Sequence, residues 1–214
     1  MHVVITGANR GIGAAIESKY QNAGWDVTGT ARNDDSRARL DVTDPASQAA
    51  FANSLAGKPV DLLICNAGVY LDKGESLEDG YPAQMWADSM ATNVTGVFLT
   101  VQSLLPNLNA AKDAKIAIIS SQMASSTRAP GGSYIYRASK AAVLNLGRNL
   151  ATDLQPSGIA VGIYHPGWVR TDMGGSKGDI SVDEAATGLV QRFDQLGIET
   201  TGCFETWDGR AHAY

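Results

Sequence analysis

The chain has 214 residues, 44% apolar and 18% charged, the balance of a soluble globular protein rather than a disordered or fibrous one. Its formal net charge of -5 speaks against a general binder of nucleic acid or membrane surface, since such proteins present a basic footprint to phosphates. The length fits one domain, residues 1–214, able to bury a core without disulfides or metal, and the two cysteines, Cys65 and Cys203, show no CxxC spacing and read as reduced thiols.

Met1 to Gly7 runs straight into a glycine motif, so no signal peptide is expected. No apolar stretch reaches membrane-spanning length, and a cytoplasmic location is the expectation. Short β-branched runs then alternate with segments of helical period, the pattern of βα units and a parallel sheet. The strands are expected at 2–6, 26–30, 60–65, 115–120, 159–164 and 202–207, with a brief one around Leu40–Val42. Between the first two, Ile12, Ala15, Ile16, Lys19 and Tyr20 make a helical stripe that Gly24 stops. Residues 33–40 are too short and polar for a full crossover helix, and a shortened connection is expected there. From Pro82 to Leu105, Met85, Trp86, Met90, Val94, Val97, Phe98 and Val101 recur at three- and four-residue steps, giving a long helix with Asn93 in its middle. A second long helix is expected from Tyr136 to Leu154. Ser181 to Glu184 reads as a capping box opening a helix to about Leu196. The architecture expected is α/β, a single-domain doubly wound parallel sheet with helices on both faces.

Two motifs carry chemistry. Gly7, Gly11 and Gly13 lie between the first strand and the first helix, where glycines permit close backbone approach and free helix amides face a pyrophosphate. The spacing is GxxxGxG, and no GK[ST] follows, so a P-loop is not indicated. Tyr136 and Lys140 stand one helical turn apart on one face. An ammonium there favours phenolate, lowering a phenol from about 10 toward working pH and making a general acid. A YxxxK pair alone also describes any solvated helix face. The three histidines lack metal-ligand spacing, and His165, at a strand end, reads as a hydrogen-bonded core or pocket-wall residue.

Gly7/Gly11/Gly13, Cys65-Asn66-Ala67-Gly68, Asn93, Ser120-Ser121, the YxxxK pair and Pro166-Gly167 occur in that order along the chain. Together they resemble the short-chain dehydrogenase/reductase family, with its Rossmann-type fold, over nearly the whole chain. The stretches Ser121–Ser125, Gly131–Ala142 and His165–Gly175 look like the C-factor and sniffer-type carbonyl reductase branch, which mixes enzymes with signalling proteins. The resemblance implies that Tyr136 is the acid/base, and that Lys140 lowers its pKa and holds the nicotinamide ribose. It implies that Ser121 binds the substrate oxygen and that Asn93 holds a water linking Lys140 to solvent. Ser120 is the alternative to Ser121, and a strand-end hydroxyl capping a turn is the plainer role expected of Ser120.

Aligned with the family pattern, the second strand ends on Ala31, with Arg32 next and Arg10 in the glycine loop. An acid there would bind a free ribose, whereas two guanidiniums suit a 2'-phosphate, so the cofactor expected is NADP(H). Asp34 and Asp35 are alternative partners for Arg32. By the same resemblance Gly7, Asn9, Arg10, Gly11, Ile12 and Gly13 cradle the cofactor, Asp41 and Val42 flank the adenine, and Asn66, Ala67 and Gly68 pack along the ribose. Pro166, Gly167, Val169 and Thr171 fix the nicotinamide. Met123, Tyr134, Trp168 and Met173 are candidate pocket walls for a small hydrophobic or aromatic carbonyl, or the corresponding alcohol. A cofactor-binding regulatory or signalling protein with little turnover is the other reading. Apolar residues on the long helices, Met85, Trp86, Phe98, Leu144 and Leu146, suggest a homodimer or homotetramer.

Overall fold

The structure, a computed structural model, describes residues 1–34 and 36–214. The described residues form seven strands: β1 (His2–Ile5), β2 (Asp26–Ala31), β3 (Ala38–Arg39), β4 (Leu62–Cys65), β5 (Lys115–Ile119), β6 (Ala160–His165) and β7 (Phe204–Thr206). They make one sheet in the order β3-β2-β1-β4-β5-β6-β7, parallel throughout.

Successive side chains of a strand point to opposite faces, and here both faces are buried. Val4, Leu63, Cys65, Ile116, Ile118 and Val161 pack on one side with Phe51, Val101, Leu104 and Val143. These last four come from α2 (Pro45–Ser54), α4 (Gly96–Asn109) and α5 (Tyr134–Leu154). Val3, Ile5, Leu62, Ile64, Ala117 and Tyr164 pack on the other with Ile16, Tyr20, Leu189 and Phe193, from α1 (Gly11–Asn22) and α6 (Val182–Gln195). The result is the expected doubly wound α/β sheet. Its order reverses between β1 and β4, and in such sheets a crevice for ligands opens at the carboxyl ends of the strands at that point. Among the described residues no helix is long and apolar enough to cross a membrane.

The connection from β2 to β3 is short, as expected. The brief strand sits at Ala38–Arg39 rather than at Leu40–Val42. Its end is set by Asp41, whose Oδ1 accepts bonds from Thr43 N–H at 3.0 Å and Thr43 Oγ1 at 2.7 Å, turning the chain. Asp44 then caps α2 by accepting from Ala46 N–H, with Pro45 in the first turn, a helix that periodicity missed. The helix expected over 82–105 runs as α3 (Ala83–Met90), a π-helical turn at Ala91–Thr95, and α4. The wide turn falls on Asn93, and such turns are common at functional sites. Helix α5 starts at Tyr134, two residues before Tyr136, after Ser133 in the left-handed region at φ 49°.

Candidate active site

A cleft of about 430 Å³ opens at the carboxyl end of the sheet. It gathers Gly7, Asn9, Arg10, Gly11, Ile12, Gly13, Arg32, Asp41, Val42, Asn66, Ala67, Gly68, Tyr136, Lys140, Pro166 and Thr171 from across the sequence. Asn93, Ser121, Gly167 and Val169 do not border it. Gly167, at φ 89°, packs so closely that a Cβ would lie 2.6 Å from Ile180 Cδ1, and Val169 is buried and bridged to Ile180. These two shape the loop that presents Pro166 and Thr171.

The glycine loop fits a dinucleotide phosphate. Arg10, at the N-cap of α1, makes no side-chain capping bond, and the first turn has no acid, so the leading amides of the helix have no side-chain acceptor of their own. A Cβ on Gly11 would meet only Thr171 Cγ2, at 3.7 Å, which leaves the backbone open to close approach. Gly13 does a different job: a Cβ there would lie 2.3 Å from Gly7 O and 2.6 Å from Asn66 Nδ2. Asn66 Nδ2 donates to Thr6 O and Gly7 O, both at 3.0 Å, tying the loop to the end of β4. Arg10 Nη1 donates to Asp172 Oδ2 at 3.0 Å across the mouth of the cleft. Asp34 pairs with Arg37, at 2.8 Å, rather than with Arg32; Asp35 lies outside the described residues.

Tyr136 and Lys140 are both buried. Lys140 Nζ donates to Ile119 O at 3.0 Å and lies 5.7 Å from the Tyr136 ring centroid. The lowering of the phenol expected from this lysine does not prevail. Burial pushes Tyr136 up to about 12, a hydrogen bond with Ser121 pulls it down, and Tyr70 and Asp72 add to the upward push. Burial also pushes Lys140 down to about 8. Both groups are thus biased toward their neutral forms, which keeps the proton on the phenol. Ser120 and Ser121 divide their work differently from expectation. Ser121 caps the turn Gln122–Ala124, its Oγ accepting from Met123 N–H at 3.1 Å, while Ser120 Oγ donates to Lys140 O at 3.0 Å. Ser120 borders the cleft, while Ser121 is the serine whose hydroxyl acts on the phenol.

Asn93 stands behind the cleft. Its Oδ1 accepts from Val69 N–H at 2.8 Å, and its Nδ2 donates to Val69 O and Ser139 Oγ, both at 2.9 Å. A Cβ on Gly68 would lie 3.3 Å from Asn93 Oδ1 and 3.5 Å from Lys140 Nζ, so a glycine keeps the space between these two groups open. His165 is buried and held neutral, pushed down to about 4 by burial and by His212. It is thus a core residue as expected, although its Nδ1 finds no hydrogen-bond partner among the described residues.

On the substrate side, Tyr134, Trp168 and Met173 are exposed, and Met123 lines a neighbouring hollow rather than the main cleft. Two residues here escaped sequence reasoning. Tyr70 stacks on Tyr136 with ring centroids 4.2 Å apart, and Asp72 accepts bonds from the amides of Ile135 and Tyr136. Isolated polar or aromatic residues in a loop carry no periodic signal, so only the fold reveals them.

The family model described as short chain dehydrogenase matches residues 1–180. The chain is 36% identical to the C-signal of Myxococcus xanthus over 161 residues, 75% of this chain and 96% of that protein. Among solved structures, the NADPH-bound carbonyl reductase from chicken fatty liver is 30% identical and superposes with a TM-score of 0.91, over 100% of this chain and 98% of that one. The carbonyl reductase Sniffer of D. melanogaster is 26% identical with a TM-score of 0.92, over 100% and 99%.

Proposed function

The chain belongs to the short-chain dehydrogenase family of oxidoreductases, and from that premise we propose that it is an NADP(H)-dependent carbonyl reductase, or the reverse alcohol dehydrogenase, with Tyr136 as its acid. One observation carries the reading: the glycine loop with its open amides and the Tyr136–Lys140 pair border a single cleft. NADPH, bound there, supplies a hydride to the carbonyl carbon. The remaining work belongs to side chains. Tyr136 Oη gives its proton to the carbonyl oxygen, and Ser121 Oγ steadies the charge that develops on that oxygen. Lys140 binds the ribose and, together with Asn93 and the gap beside Gly68, returns a proton from solvent to the phenol. Arg10 and Arg32 take the 2'-phosphate. Tyr134, Trp168 and Met173 suit a small apolar or aromatic substrate.

A second reading, a cofactor-binding signalling protein with little turnover, is favoured by the likeness to the C-signal. An intact acid speaks for the enzyme, because binding alone needs no phenol proton. NADPH consumption over a panel of aldehydes, ketones, quinones and pterins separates the two. Tyr136→Phe keeps the ring and deletes the proton, so turnover should fall by roughly a hundredfold or more with NADPH affinity nearly intact. Full activity in that variant rejects Tyr136 as the acid; tight NADPH binding with no carbonyl reduced by the parent chain favours the signalling protein.

A further inference from the structure

Asp72 lies in the loop after β4 and is 0% exposed. Among the described residues it makes no ion pair. A buried carboxylate is costly unless it is well hydrogen-bonded, and this one is committed to the start of α5. Asp72 Oδ2 accepts from Ile135 N–H at 2.8 Å, and Oδ1 and Oδ2 accept from Tyr136 N–H at 3.2 and 3.3 Å. The leading amides of a helix are donors without partners inside it, and an anion there also meets the positive end of the helix dipole. Ser133 does not supply this cap: it makes no side-chain capping bond, and its Oγ is hydrogen-bonded to Tyr70 Oη at 2.5 Å. Tyr70, two residues before Asp72, stacks on Tyr136 at 4.2 Å. The segment 70–72 therefore grips Tyr136 twice, by the ring and by the backbone amide.

We propose that Asp72 is a positioning residue for the reaction: from the wall facing α5 it fixes the backbone of Tyr136, and so the hydroxyl that meets the substrate oxygen. The inference rests on Tyr136 being the acid. Geometry gives the role its weight, because α5 carries both Tyr136 and Lys140 within its first two turns and has no cap of its own. The charged and titratable groups facing the phenol are Tyr70 and Asp72 from the loop after β4 and Lys140 from α5, with the Ser121 hydroxyl from the turn after β5. The charge on Asp72 opposes loss of the phenol proton, so a neutral replacement moves the phenol titration to lower pH.

The test compares the full chain with Asp72→Asn, which keeps the shape and removes the charge. Turnover of the best carbonyl should fall on the order of tenfold to a hundredfold, as for a misplaced reacting group. NADPH affinity should fall far less than turnover, because Asp72 does not itself border the cleft and the glycine loop and Arg10, which would hold the phosphates, lie on another element. The Tyr136 titration, read as the ultraviolet difference between each protein and its Tyr136→Phe counterpart, should move to lower pH, and the Ile135 and Tyr136 amides should exchange faster. These last two measurements need no substrate and so decide even for a chain that turns over nothing. Unchanged titration and exchange overturn the proposal, as does a loss of NADPH affinity that matches the loss of turnover, the mark of general damage. Should Asp72→Asn not fold, Asp72→Ser retains one short acceptor without charge and faces the same measurements. Tyr136→Phe at full activity overturns the acid itself; an inactive Tyr136→Phe beside an Asp72→Asn of unchanged turnover and titration overturns only the role of Asp72.

Discussion

Arg10 has two anions to choose between. Its pair with Asp172 joins side chains that are 68% and 82% exposed, and solvent-exposed ion pairs contribute little. On the proposed reading, a 2'-phosphate offers more charge and three acceptor oxygens in a geometry a guanidinium can grip with two bonds, and it should displace the aspartate. Arg32 borders the same cleft. Replacing both arginines with uncharged residues should weaken NADPH binding by roughly 2–4 kcal/mol while sparing NADH, the scale of charged hydrogen bonds lost. Isothermal titration in which the parent chain prefers NADH would sink the assignment. That Ala31 and Arg32 border the cleft was legible from their place at the tip of β2. The Tyr136–Lys140 pair was legible as helical spacing, but its electrostatics were not, since a sequence does not show how deeply the phenol and the ammonium are buried. Asp72 and Tyr70 were illegible for a related reason: they meet Tyr136 only where a loop crosses the start of a helix.

Helix α6 shows how local chemistry marks an element. Ser181 Oγ accepts from Glu184 N–H at 3.1 Å, and Glu184 Oε2 accepts from Ser181 N–H at 2.7 Å, the reciprocal box read from four residues. Ser181→Ala should cost about 1 kcal/mol and lower the melting temperature by roughly 2–4 °C for a chain of this length. Thermal denaturation that returns the parent's midpoint would refute a stabilising box. Strands β1, β4, β5 and β6 were legible for the same reason they are stable, since burial on both faces demands nearly continuous apolar runs. Helix α2 was not, because its sequence PASQAAFANS buries only Gln48 and Phe51, too few large side chains to show a period. Its Asp44–Pro45 start was the available signal. The π-helical turn was also hidden, as nothing in the spacing around Asn93 distinguishes a wide turn from an α-helical one.

At the scale of the whole molecule, the apolar residues that suggested an oligomer, the half-buried Met85 aside, separate into two groups. Leu144 is buried with Ala124, Ile163 and Phe204, and Leu146 packs against the core beneath α4 and α5, so these two serve the monomer. Trp86 on α3 and Phe98 on α4 remain 36% and 40% exposed. Covering the exposed third of each would add roughly 0.5–1 kcal/mol, and a two-fold arrangement would collect that gain from both copies, since each presents the same patch. We therefore expect the chain to form a homodimer or homotetramer through the α3–α4 surface. Light scattering at micromolar concentration should give at least twice the mass of the chain, and charge introduced at the patch, Trp86→Glu with Phe98→Glu, should return it to the monomer while the far-ultraviolet circular dichroism stays unchanged. A parent chain that scatters as a monomer rejects the assembly. A parent that assembles while the double variant assembles equally well places the interface on a different face, one that does not use Trp86 and Phe98.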